Sequence, residues 1–290
     1  MSTAERVERI SPLGARLPAG AAAAAQRIAG LGALTGLLAA SIMLAAGAAG
    51  EHLSFFAPSA LQESPGWLRG PLGELGLTVT SSGGARLIVA MSVCYVIVLA
   101  CARALPVRTA LAAVFALHLV FFLGPPLFSA DVFGYIDYAR LGELYGLNPY
   151  THGAAAAPDD AVTPFVRWHN IPSPYGPLFT AVGYPLAHVS IPVALWVYKA
   201  VAALAGLVCA ALTWLVARQA GRDPLPATLF VALNPLLLAY GVGGAHNDLL
   251  PAALVLGGVA LAAQGREHLA GGGLALAAGL KASAGLALPF

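Results

Sequence analysis

Long apolar runs separated by short polar turns recur along this chain and set the elements it should form. Crossing a bilayer takes about 20 mostly apolar residues per helix, because hydrocarbon offers no partner to a bare amide or carbonyl. Runs near residues 27–49, 86–103, 109–128, 194–217, 227–243, 249–264 and 270–290 approach or reach that length and predict seven spans. A further run, 177–190, is about 14 residues long and carries or borders Pro177, Pro185 and Pro192, which predicts a re-entrant or interfacial helix. Ala46-Gly47-Ala48 has the form of a leader cleavage site. The apolar run before it exceeds the roughly 7 to 15 residues of a leader core, so the first span is expected to be retained.

Composition sets the class: 59% of residues are hydrophobic and 10% charged, against about 25% charged in soluble proteins. The expected fold is an all-α, polytopic integral membrane bundle with an elaborated loop carrying interfacial helices. Arg6, Arg9, Arg16 and Arg27 near the first span, Arg103 and Arg108 after the second, and Arg218 and Arg222 after the fourth mark the cytoplasmic side. Residues 1–26 then form a cytoplasmic segment, and 27–290 one transmembrane domain in the plasma membrane. Its outer loop, about 129–193, is extracytoplasmic. The net charge of +2 and the lack of a basic cluster exclude a nucleic-acid partner, and Cys94, Cys101 and Cys209 fall inside spans without metal-ligand spacing. The last run is still apolar at Leu288-Pro289-Phe290, which reads as a truncated chain or a fragment of a longer protein.

Polar chemistry concentrates between the runs. Phe128-Ser129-Ala130-Asp131 places an acid directly after a span. From Asp131 to Leu147, Phe133, Ile136, Leu144 and Leu147 recur at helical spacing while Asp137, Arg140 and Glu143 fill the other face, predicting an amphipathic helix along the interface. Tyr135, Tyr138 and Tyr145 suit an aromatic belt at that level. Ala154 to Ala157 reads as filler, and Asp159 and Asp160 as a mobile, solvated stretch. The prolines around Pro172-Ser173-Pro174-Tyr175-Gly176-Pro177 stiffen an extended segment that would hold Arg167, His169 and Tyr175 near Asp131.

A second constellation, Asn234-Pro235 followed by Gly243-Gly244-Ala245-His246-Asn247-Asp248, marks a tight turn on the same side as Asp131. His246, Asn247 and Asp248 would offer donors and acceptors to sugar hydroxyls, and Asp248 would cap the next helix. Lysines inside spans are expensive and serve a cavity or a partner. Lys281 is expected to meet a lipid phosphate, and Lys199 an outer salt bridge or a lipid phosphate. His118 is expected to bond a neighbouring helix.

The order of Ser129-Ala130-Asp131-Val132-Phe133-Gly134-Tyr135, the SPYGPLF loop at 173–179, GAHND at 244–248 and LKASAGLALPF at 280–290 resembles the actinobacterial polyprenol-phosphomannose-dependent alpha-1,6-mannosyltransferases. These belong to the C-type glycosyltransferase superfamily (GT-C). The resemblance covers roughly residues 111–290, and SPYGP together with GxHND carries more of it than the acid after a span. It implies transfer of mannose, with inversion, from a beta-linked polyprenyl phosphate to an alpha-1,6-mannan glycolipid of the lipomannan type. Asp131 would be the general base, a role that typically contributes about 10²- to 10⁴-fold. Lys281 or Arg167 would neutralise the departing phosphate. His169, Tyr175, His246, Asn247 and Asp248 would contact substrate, with no metal and no cofactor. The implied partners are the polyprenyl phosphomannose donor, the mannan acceptor and the surrounding lipid.

Plainer readings stand beside these. Asp131 is also placed to cap its helix, worth about 1 kcal/mol, and the two roles can coexist. His246, Asn247 and Asp248 also suit turn and capping chemistry, and Arg167 and His169 suit loop packing. A transporter or flippase of lipid-linked sugar, or a non-catalytic truncated relative, would share the polytopic plan. The polar residues cluster at one surface instead of lining a route across, which weighs against transport.

Overall fold

In the computed structural model, residues 19–49 and 65–287 are described, and among them every regular element is helical. Arg6, Arg9 and Arg16, residues 50–64 and Leu288-Pro289-Phe290 lie outside the described residues. Ten α-helices follow one another: α1 (Ala19–Ala48), α2 (Gly66–Arg69), α3 (Ser81–Cys101), α4 (Val107–Leu123), α5 (Asp131–Glu143), α6 (Pro177–Gly183), α7 (Ile191–Gln219), α8 (Pro224–Ala232), α9 (Leu249–Ala262) and α10 (Glu267–Leu280). Helices α1, α3 and α7 are long and apolar enough to cross a bilayer, with α4 and α9 shorter apolar helices. The protein is an all-α polytopic membrane protein.

Local chemistry sets the ends. Thr80 caps α3 by accepting the Gly83 N–H at 3.1 Å, and Asp223 caps α8 by accepting the Leu225 N–H at 3.2 Å. The expected span 227–243 is not one α-helix. It stops at Ala232, turns at Asn234-Pro235, where Asn234 Oδ1 accepts the Leu236 N–H at 2.9 Å, and resumes as a π-helical turn, Leu237–Val242. Residues 177–190 form α6 and a 3₁₀ turn, Tyr184–His188, neither long enough to cross.

α1 packs on α3 and α4, α7 on α4, α8 and α9, and α10 on α9. Small residues let the backbones approach: a Cβ on Gly206 of α7 would lie 2.8 Å from Nε2 of His118 on α4. His118 itself bonds within its own helix, Nδ1 to Val114 O at 2.8 Å, instead of reaching across as expected.

α5 departs most from expectation. It is buried on nearly all sides: Tyr135, Tyr138 and Asp137 are inside, while Leu144, expected on the buried face, is exposed. The cause is the loop that covers it. Asp160, expected in solvent, is buried and accepts Arg140 Nε at 2.9 and 3.0 Å and the Tyr145 hydroxyl at 2.8 Å. Tyr138 donates to Ile171 O at 2.8 Å, and Ala154 is buried in a 3₁₀ turn. The loop leaves Glu143 exposed at the end of α5 but buries Asp137, Tyr135 and Tyr138, so neither the interfacial reading of Asp137 nor the belt reading of those two tyrosines holds.

Candidate active site

Asp131 is presented by the segment that links α4 to α5, and that segment is tied down from two directions. Leu127 N–H donates to Gly243 O at 3.2 Å. Lys199 Nζ, fully buried, donates to Phe121 O at 3.0 Å, Gly243 O at 3.1 Å and Pro125 O at 3.4 Å. Lys199 therefore meets neither an acid nor a lipid phosphate. The last carbonyls of α4 lack intrahelical partners and carry the negative end of its dipole, which suits a buried ammonium.

Two non-glycine residues among those described have positive φ, Phe128 at 64° and Ala245 at 54°. One lies three positions before Asp131, the other directly before His246. Such backbone strain persists only where the surroundings over-determine it, and it clusters at functional sites. Asp131 opens α5, but the cap position is Ala130, and no side chain caps there. The Asp131 N–H is taken by Ser129 Oγ at 3.1 Å, so the Asp131 carboxylate is not spent as a cap.

That carboxylate meets the second constellation. His246 Nδ1 lies 3.5 Å from Asp131 Oδ2 and 3.9 Å from Asp248 Oδ2, and Lys281 Nζ lies 2.6 Å from Asp248 Oδ1. Asp248 thus holds Lys281 and makes no side-chain cap bond to α9. Lys281 is not inside a span: α10 ends at Leu280, and Lys281 is extended at φ −152°. Gly176 of the SPYGP loop fixes that end. Its N–H donates to Leu280 O at 3.0 Å, and a Cβ there would collide with Gly279 O. Likewise a Cβ on Gly243 or Gly244 would strike Ala239 O or Tyr240 O, which is why the turn needs both glycines.

His246 is buried and stacked on Tyr240, with ring centroids 3.9 Å apart. Burial pushes its pKa down, against the pull of Asp131 and Asp248, so the imidazole is favoured neutral. Its Nε2 and both side-chain polar atoms of Asn247 are buried without a protein partner, while the Asn247 N–H bonds the Tyr135 hydroxyl at 3.2 Å.

Asp131 also lines a pocket of about 270 Å³ with Ala130, Gly134, Tyr138, Arg167, Trp168 and Tyr175. Burial, then the Asp131 charge, raises the Tyr175 phenol, which stays a neutral hydroxyl. Of the residues singled out in sequence, Asp131, Arg167 and Tyr175 share this pocket, and His246, Asp248 and Lys281 form the adjoining polar chain. Asn247, between His246 and Asp248 in sequence, is buried. His169 is not brought in: its side chain is exposed, and its carbonyl accepts the Ala155 N–H at 2.8 Å. Nothing in the sequence marks Trp168 or Tyr138 as a site residue, although Trp168 sits between Arg167 and His169. Among the described residues no three His, Cys, Asp or Glu side chains converge as a metal set.

The alpha-(1->6)-mannopyranosyltransferase N-terminal domain family matches residues 32–290. The chain belongs to that family. An alpha-(1->6)-mannopyranosyltransferase A from Corynebacterium glutamicum is 34% identical over 173 residues, covering 57% of this chain and 34% of that relative. Its namesake from Mycobacterium tuberculosis is 35% identical over 176 residues, 58% of this chain and 33% of the relative. A third, alpha-(1->6)-mannopyranosyltransferase Rv1459c of M. tuberculosis, is 31% identical over 152 residues, 50% and 26% respectively. The match thus spans about a third or less of these relatives' length. No solved structure is significantly similar.

Proposed function

We propose that this chain carries the catalytic site of an inverting mannosyltransferase that takes mannose from a polyprenyl phosphate and adds it to an alpha-1,6-mannan acceptor. The observation that carries the reading is the convergence of Asp131, His246, Asp248 and Lys281 from three separate parts of the chain, beside a pocket that Asp131 also lines. Relatives named as alpha-(1->6)-mannopyranosyltransferases support the sugar and the linkage. The arginine distribution supports an extracytoplasmic site, with residues 1–26 inside and 27–290 as the membrane domain.

The Asp131 carboxylate takes the proton of the acceptor 6-hydroxyl as that oxygen attacks C1 of the mannosyl unit. The bond from C1 to the phosphate oxygen breaks on the opposite face, so a beta-linked donor gives an alpha-linked product. Polyprenyl phosphate leaves with the electron pair. Lys281 offsets the charge gathering on that phosphate. Neutral His246 lies 3.5 Å from the Asp131 carboxylate and supplies no competing charge there. The polyprenyl chain lies in the surrounding lipid.

Membranes containing the chain should transfer labelled mannose from polyprenyl phosphomannose to a short alpha-1,6-oligomannoside, and the product should be an alpha-linked 6-O-mannoside by NMR. Retained beta configuration, or transfer from a nucleotide sugar alone, would contradict the reading.

A further inference from the structure

Two cavities flank the Asp131–His246 pair, and no residue lines both. One is a groove of about 560 Å³ between α3 and the broken helix, lined by Ile88, Tyr95, Val96, Pro235, Leu236 and Tyr240. It is mostly apolar, with Ser92 and Asn234 also in its lining, and it reaches the site, since Tyr240 stacks on His246. The other is the 270 Å³ pocket walled by Tyr138, Arg167, Trp168, Ile171 and Tyr175 and floored by Asp131.

The second cavity has the chemistry of a sugar subsite. Trp168 and Ile171 are about half exposed, 45% and 50%, and form an accessible apolar wall. A neutral hexose presents C–H faces to such a wall and hydroxyls to polar groups at its edge. Arg167, stacked 5.8 Å over Trp168, has no carboxylate partner among the described residues and offers several N–H donors. The Tyr175 hydroxyl and the Asp131 carboxylate complete the rim, so a hydroxyl bound there lies against the proposed base.

We propose that the Trp168 pocket is the acceptor subsite: it binds the terminal mannose of the mannan by stacking on Trp168, with the 6-hydroxyl directed at Asp131. This rests on the mannosyl-transfer reading and deepens it. The apolar groove gives the prenyl chain of a lipid-linked donor its own approach, and the pocket is left to the sugar end of the acceptor.

Calorimetric titration of the detergent-solubilised chain with alpha-1,6-mannotriose tests this without requiring turnover. The trisaccharide should bind. Trp168→Ala should weaken it by about tenfold or more, Trp168→Phe should restore most of the affinity, and citronellyl phosphomannose should not displace it. Unchanged melting temperatures would show that the variants are folded, as the exposure of Trp168 leads us to expect. No binding of mannotriose, equal binding by Trp168→Ala, or displacement by the donor analogue would each overturn the assignment. Loss of transfer in Asp131→Asn tests the chemistry separately, so a failed Trp168 result with intact Asp131 dependence overturns the pocket alone.

Discussion

Asp137 of α5 and Asp160 of the loop that covers it interact electrostatically, but their surroundings differ. Asp160 has Arg140 and Tyr145 on its oxygens, whereas one Asp137 oxygen is buried with no partner. Burial, with Asp160 adding to it and Arg140 opposing, pushes the Asp137 pKa up from 3.8 to about 7. A carboxyl whose folded pKa is raised favours the folded state while protonated, so this part of the stability is lost as pH rises from about 4 to about 7. Asp137→Asn should therefore melt higher than the parent at pH 8, with the gap closing toward pH 4, as a thermal scan in detergent would show. A gap that is constant with pH would mean Asp137 is not titrating there. Lys199 makes the opposite case, a buried charge with every contact satisfied by carbonyls. Lys199→Met strands those oxygens and should lower the unfolding free energy by about 1–3 kcal/mol, read as a reduced melting temperature.

At the scale of elements, the site depends on three breaks in helical structure: the strained link before α5, the Gly243-Gly244 turn and the end of α10. Gly244→Ala would push a methyl into Tyr240 O and to within 2.8 Å of Leu127 O, displacing His246. Misplacement of about an ångström costs on the order of 100-fold in rate, so transfer should fall by that order. Ala245→Gly relieves a positive φ and should leave melting temperature unchanged or higher. These breaks also mark where the sequence was hard to read. Apolar runs announce helices because lipid and core demand them, and α1, α3, α4, α7 and α9 fall where the runs do. Run length says nothing of a π-turn after Asn234-Pro235, or of a helix that stops at Leu280 while the apolar run continues. Periodicity in α5 likewise describes that helix alone, and cannot register Asp160 and Ile171 arriving from the loop to cover it. Asp131 and the GAHND turn were legible because small, charged and amide residues gathered at run ends have few structural reasons to be there. Lys199 stood out for the same reason, but its carbonyl partners are backbone and leave no trace in residue type.

For the whole molecule, an extracytoplasmic donor requires the loop 144–176 and the Asp131 site to face away from the cytoplasm. In a chain with Cys94, Cys101 and Cys209 replaced, exposed Ala155→Cys should react with a membrane-impermeant maleimide added to intact cells, and exposed Ala220→Cys should not. The reverse pattern would place the site on the wrong side for the proposed donor. The central claim is that Asp131 removes the acceptor proton. The most direct measurement compares mannose transfer from polyprenyl phosphomannose to alpha-1,6-oligomannoside by the parent and Asp131→Asn at equal membrane abundance. The parent should transfer mannose, and the variant should lose at least about 100-fold. Equal transfer by both would contradict that claim.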